Sequence, residues 1–158
     1  MNETEDSITD SGKIRLECGN VCYESRDYGT WSLPVSTIRI VGEFTNDHGP
    51  HLDDYFLVFV TEATGEWRTA SFYAKGRDEF LDKLASALPG VSSLALANST
   101  DWKSRVLWPK ELQGRPLFEF IRPTHGAGFF GRIAAKLDSG IELRVAEDVL
   151  SFIREIRG

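Results

Sequence analysis

The chain has 158 residues, with twenty-four acidic side chains against eighteen basic ones, a net charge of -6 and 41% hydrophobic residues. That balance excludes a generic nucleic-acid or anionic-membrane binder, which presents the opposite sign. Two cysteines exclude a disulfide scaffold, and the length suffices for one hydrophobic core without a metal or a crosslink.

The elements follow in chain order. Residues 1–12 are rich in Glu, Asp, Ser and Thr and are expected to form a mobile tail, with residues 13–158 as a single domain. The start has neither the basic residues nor the apolar core of a signal peptide, and the expected location is the cytoplasm. Ile14, Leu16 and Cys18 alternate with polar residues, Gly19-Asn20 marks a turn, and Val21 and Tyr23 resume the alternation. This predicts a hairpin pairing Cys18 with Val21 and Leu16 with Tyr23. Trp31 to Pro34 reads as a bend. Ile38, Ile40, Gly42 and Phe44 alternate with Thr37, Arg39, Val41 and Glu43, the pattern of a half-buried strand.

Thr45 to Asp53 is a polar loop around Gly49-Pro50. Tyr55 to Thr61 is apolar on both faces, as in a central strand. After a turn at Thr64-Gly65, Trp67 to Ala74 returns as another strand. Short connections between neighbouring runs predict an antiparallel sheet.

The period then changes. Phe80, Leu81, Leu84 and Leu88 form one helical face, with Asp78 and Glu79 in the first turn and Pro89-Gly90 as the stop. Beyond it, Ser93 to Ala97 reads as a short strand and Trp102 to Pro116 is mixed. Leu117 to Arg122 is a strand, Ile133 to Leu137 a helix and Ile141 to Arg144 a short strand. Val145, Val149, Phe152, Ile153 and Ile156 define the stripe of a final helix. The expected class is α+β: an antiparallel sheet or partly open barrel closed by a helix, then a C-terminal α/β extension (91–158) ending in a helix.

The segments GNVCYES, WSLPVSTIRIVGEF, DDYFLVFVTEATG, EWRTASFYA and GRDEFLDKLASALPG, over roughly residues 13–90, carry a resemblance. Their order resembles a pleckstrin-homology-like (PH-like) fold: antiparallel strands followed by one amphipathic helix across the open end. Five strands are recognisable before the helix, where that family has seven. The family binds phosphoinositides in some members and proteins in many others. The lipid-binding members use basic residues at the first hairpin, whereas LECGNVCYES has Glu17, Glu24 and no base at its tip. What the resemblance implies is therefore a scaffold for a peptide or protein ligand.

Three groups of residues could carry chemistry. His48, His51, Asp53 and Asp54 fall in one loop and offer nitrogen and oxygen ligands to zinc or a similar ion. A loop containing Gly-Pro fixes no ligand geometry, so a solvated loop is the plainer reading. Gly126, Gly128 and Gly131 fit G-x-G-x-x-G after a strand, as in a dinucleotide-binding turn. Three intervening residues, Pro123 to His125, the short remaining chain and an antiparallel first half all argue against that use. Asp53-Asp54 and Glu147-Asp148 are paired carboxylates, which also suit a strand start and a helix N-terminus. Trp31, Trp67, Trp102 and Trp108, with Phe129 and Phe130, either fill the core and the seam between halves or form a peptide-binding patch.

No nucleophile motif is present. The expectation is a non-catalytic binding or scaffold module that recognises a protein segment or a second copy of itself as a homodimer. It takes no cofactor and binds neither nucleic acid nor membrane. The alternative is a small-molecule or metal site, and hence an enzyme, at the 124–131 glycine loop or the 48–54 His/Asp loop.

Overall fold

The computed structural model describes residues 9–46, 53–62, 65–92, 94, 103–121, 134–136 and 142–157. Strands β1 (Lys13–Glu17), β2 (Asn20–Glu24) and β3 (Trp31–Pro34) form one antiparallel sheet in that order. Strands β4 (Ile40–Thr45), β5 (Tyr55–Val60), β6 (Trp67–Ser71) and β7 (Lys103–Trp108) form a second, ordered β6-β5-β4-β7. A third contains β8 (Phe118–Ile121), β9 (Ala134–Lys136) and β10 (Glu142–Val145), ordered β8-β10-β9. Helix α1 (Arg77–Ala87) follows β6, and α2 (Glu147–Arg157) ends the chain. The class is α+β, every strand pair in the three sheets is antiparallel, and among the described residues no sheet closes into a barrel.

The second sheet is the centre, because both of its faces are apolar. Along β5, Phe56, Val58 and Val60 join one core with Phe44, Leu117, Phe118, Leu143, Val149 and Ile153, packed under the third sheet and α2. The intervening Leu57 and Phe59 join the other core with Ile14, Tyr23, Phe80 and Leu84, under the first sheet and α1. Period-two alternation thus sends successive side chains into two different cores. Each large apolar side chain so enclosed contributes about 1.5–3 kcal/mol.

Several sequence expectations are corrected. The hairpin turns at Cys18-Gly19, not Gly19-Asn20, so Leu16 faces Val21 and Ile14 faces Tyr23. Both turn residues have positive φ, 53° and 77°, the geometry of a two-residue turn that follows the strand twist. Trp31 to Pro34 is a strand, and Pro34 is tolerated because β3 is a sheet edge. The strand containing Glu43 is buried on both faces, because the first sheet and α1 cover the side read as solvated. Strand β6 stops at Ser71, short of Ala74.

The mixed stretch after Trp102 holds a full strand, β7, beside β4, so the central sheet draws a strand from beyond residue 90. Residues 134–136, expected in a helix, form β9 paired with β10; cross-strand pairing overrides the helix preference of Ala-Ala-Lys. Ile156 is 52% exposed, so the helical stripe ends before it. Residues 10–12, assigned to the tail, are docked: Asp10 carboxylate oxygens accept from Gly12 N (3.0 Å) and Arg26 N (2.7 Å). The expected strand at 93–97 lies outside the described residues apart from Leu94. Among the described residues no helix is long and apolar enough to cross a membrane.

Candidate functional site

Of the proposed metal ligands, Asp53 and Asp54 are described, and both are occupied by the fold. Asp53 Oδ2 accepts from Ser71 Oγ at 2.5 Å, and its backbone N–H donates to the Tyr28 hydroxyl at 3.2 Å. Asp54 Oδ1 accepts from Tyr73 OH at 2.6 Å, while its carbonyl accepts from Asn46 N at 2.9 Å. The pair therefore ties the start of β5 to the end of β6 and to the loop after β2. Burial, then the negative charge of Asp53, pushes the Tyr28 phenol up to about 12. Burial, then the hydrogen bond to Asp54, does the same to Tyr73. His48 and His51 lie outside the described residues, among which no three His, Cys, Asp or Glu side chains are grouped to hold a metal ion.

Gly126, Gly128 and Gly131, with His125, also lie outside the described residues. The Glu147-Asp148 pair opens α2: Glu147 pairs with Arg154 at 3.1 Å and Asp148 with Arg115 at 3.2 Å. Three of the four tryptophans are described and are half-buried against the cores. Trp31 Nε1 donates to the Thr69 carbonyl at 2.9 Å, pinning β3 to β6. Trp67 packs 5.0 Å from Phe118, and Trp108 lies against the core beneath α1. Trp102, Phe129 and Phe130 lie outside the described residues.

The sequence reading missed a polar group inside the sheet. Glu43 is fully enclosed on β4; it accepts a hydrogen bond from Tyr55 OH on β5 and lies 3.3 Å from Arg105 on β7. Arg105 also donates to Ser92 Oγ at 3.3 Å. Phe72 stacks on Tyr55 with ring centres 4.1 Å apart, and the Arg77 guanidinium lies 4.0 Å over Phe72. The signal was a carboxylate in the middle of an otherwise apolar strand, RIVGEF. Its chemistry is neutralisation: a guanidinium and a phenol from the two flanking strands compensate a desolvated carboxylate and hold β4, β5 and β7 in register.

A site with room for a ligand lies between β1 and α1. Gly76 starts α1 hard against β1: with φ at 83°, a Cβ there would sit 2.7 Å from the Ile14 carbonyl oxygen. The helix and the strand edge then enclose a groove of about 390 Å3. Buried Ile14 and Phe80 and half-buried Leu16 give it an apolar lining, and exposed Arg15, Glu79 and Lys83 line it as well. These charges are already paired, Lys83 with Glu79 at 3.3 Å and Arg15 with Glu17 at 2.8 Å.

The backbone of this edge is bridged by Lys75 at its start and open at Leu16. In the β1–β2 register, Ile14 and Leu16 direct their N–H and C=O groups away from β2. Ile14 N donates to the Lys75 carbonyl at 2.9 Å, whereas Leu16 finds no backbone partner among the described residues. No family model, curated protein or solved structure matches the chain.

Proposed function

We propose that the chain is a cytoplasmic, non-catalytic binding module that takes an extended protein segment as an added strand along the outer edge of β1. The observation that carries this reading is the N–H and C=O of Leu16, which find no partner among the described residues, beside the α1 groove. An added strand satisfies those groups, and alternate apolar side chains enter the space between β1 and Phe80. Because the groove charges are paired internally, the segment it favours is apolar at those positions rather than strongly charged. A run of antiparallel strands followed by a helix supports the PH-like reading, with a protein ligand rather than a lipid. A second copy presenting its own β1 is the homodimeric form of the same interaction.

Leu16→Pro tests the proposal, because it removes a donor that no bond among the described residues uses and blocks strand addition. The expected result has three parts. A peptide selected from a random display library protects the Leu16 amide from hydrogen exchange. Leu16→Pro abolishes that binding, and the variant keeps its circular-dichroism spectrum. A bound peptide that leaves the Leu16 amide unprotected overturns the site, and turnover of a small metabolite by the pure protein overturns the non-catalytic reading.

A further inference from the structure

A second cleft, of about 330 Å3, lies at the C-terminal end of β5; Arg39, Arg68, Glu62 and the hydroxyls of Ser32, Thr37 and Thr61 line it together with the apolar Leu33 and Ile153. Arg39 precedes β4, and its N–H donates to the Val60 carbonyl at 2.8 Å, which holds it at the end of β5. Arg68 pairs with Phe59 on the other side of β5. Arg68 shares the face of Ala70, which the first sheet covers, and Arg39 reaches the same cleft from the residue that precedes β4.

These two guanidiniums differ from the rest. Every other arginine with a described side chain is paired with a carboxylate within 4 Å. Among the described residues, Arg39 and Arg68 donate only to neighbouring backbone carbonyls, of Ser36 at 3.0 Å and Trp67 at 3.3 Å. Glu62 lines the same cleft, yet it forms no ion pair with either. In a chain of net charge -6, two guanidiniums beside hydroxyl groups and a single carboxylate leave the cleft locally positive. Each guanidinium carries five donors in a fixed fork, most of them unused here.

We infer that the Arg39–Arg68 cleft is an oxyanion site that takes a phosphate group. A phosphate group offers enough acceptors for both forks and for the Ser32 and Thr61 hydroxyls, whereas a single carboxylate, with two oxygens, does not. The site stands apart from the β1 groove and does not depend on it.

The test is titration of the full chain with inorganic phosphate and, separately, with phosphoserine blocked at both termini, followed through the arginine Nε–H resonances. Saturable shifts at Arg39 and Arg68, weakened about tenfold or more by Arg39→Gln or Arg68→Gln and unchanged by Arg115→Gln, support the site. Equal affinity for the two ligands assigns the phosphate group alone; tighter binding of phosphoserine assigns a phosphorylated protein segment. Shifts that fail to saturate with either ligand, or that appear equally at Arg115, overturn the inference. Arg39 and Arg68 are surface-accessible, so the glutamine variants retain the fold, and an unchanged melting curve verifies it.

Discussion

Glu43 has no solvent-exposed surface, and its Oε2 lies 3.3 Å from the Arg105 guanidinium, which keeps a quarter of its own surface in water. The two sit on neighbouring strands β4 and β7 at directly opposed positions. The carboxylate has therefore given up hydration entirely while its partner has not. Removing the partner of a desolvated charge costs more than the pair itself is worth. Arg105→Met is expected to destabilise the protein by about 3 kcal/mol, the low end for a broken buried pair because the arginine is partly hydrated. Adding Glu43→Gln should recover most of that loss, since the amide carbonyl still accepts from Tyr55. Urea denaturation of the single and double variants measures both steps; a cost below about 1 kcal/mol for Arg105→Met refutes the pairing as a stabilising element.

A second prediction concerns the contact that brings the C-terminal half onto the central sheet. A Cβ at Gly42 would meet Leu117 Cδ2 at 2.5 Å and the Arg105 carbonyl at 3.0 Å. Leu117 is itself fully buried, so it has little freedom to withdraw. Gly42→Ala should cost about 1–3 kcal/mol through overpacking. Leu117→Ala alone should cost about 2–5 kcal/mol through the cavity it leaves. The double variant should be more stable than the sum of the two losses implies, because each change makes room for or fills the other. Additivity in thermal unfolding would show that Gly42 is kept for another reason.

These two sites also show how far the sequence could be read. Strand β5 was legible because YFLVFV is apolar on both faces, and α1 and α2 were legible from their period and their acidic first turns. Glu43 was not, because Arg39, Val41 and Glu43 alternate just as a solvated face does; the cover comes from the first sheet and α1, far away in the chain. Strand β7 was hidden by its own polar residues, and each has a specific partner. Ser104 Oγ accepts from the N–H groups of Leu117 (3.1 Å) and Phe118 (2.9 Å), and Arg105 meets Glu43. Pattern reading treats such residues as surface. The β1 edge was invisible as a site for a related reason. Its chemistry is in the Leu16 backbone, and a sequence records side chains.

The hairpin turn yields a stabilising prediction. Cys18 is an exposed non-glycine residue with φ at 53°, in the left-handed region that costs an L-residue about 1–2 kcal/mol. Asparagine tolerates that region far better. Cys18→Asn is expected to stabilise the protein by about 1 kcal/mol and raise Tm by about 2–4 °C. Cys18→Val, with a branched Cβ, should lower it. A scanning-calorimetry comparison of the three proteins settles the order, and equal Tm values would show that the turn contributes little to global stability.

Alkaline pH should loosen the seam that Asp53 and Asp54 hold. Tyr28 and Tyr73 are both pushed up to about 12, against an ordinary phenol value of 10, chiefly by burial and then by those carboxylates. A group whose folded pKa is raised binds its proton more tightly in the folded state. Its contribution is therefore complete below about pH 10, where both states are protonated, and is lost as pH rises from about 10 to 12. Ionising Tyr73 converts its hydrogen bond to Asp54 into a contact between two negative charges, and ionising Tyr28 sets a phenolate beside Asp53. Stability measured by urea denaturation should be flat from neutral pH to about 10 and then fall, with tyrosinate absorbance rising over the same interval. Tyr73→Phe should make the fall shallower, because only the Tyr28 part of this contact remains to titrate. A variant with the same alkaline slope as the parent would exclude Tyr73 from the linkage and leave the loss to other groups.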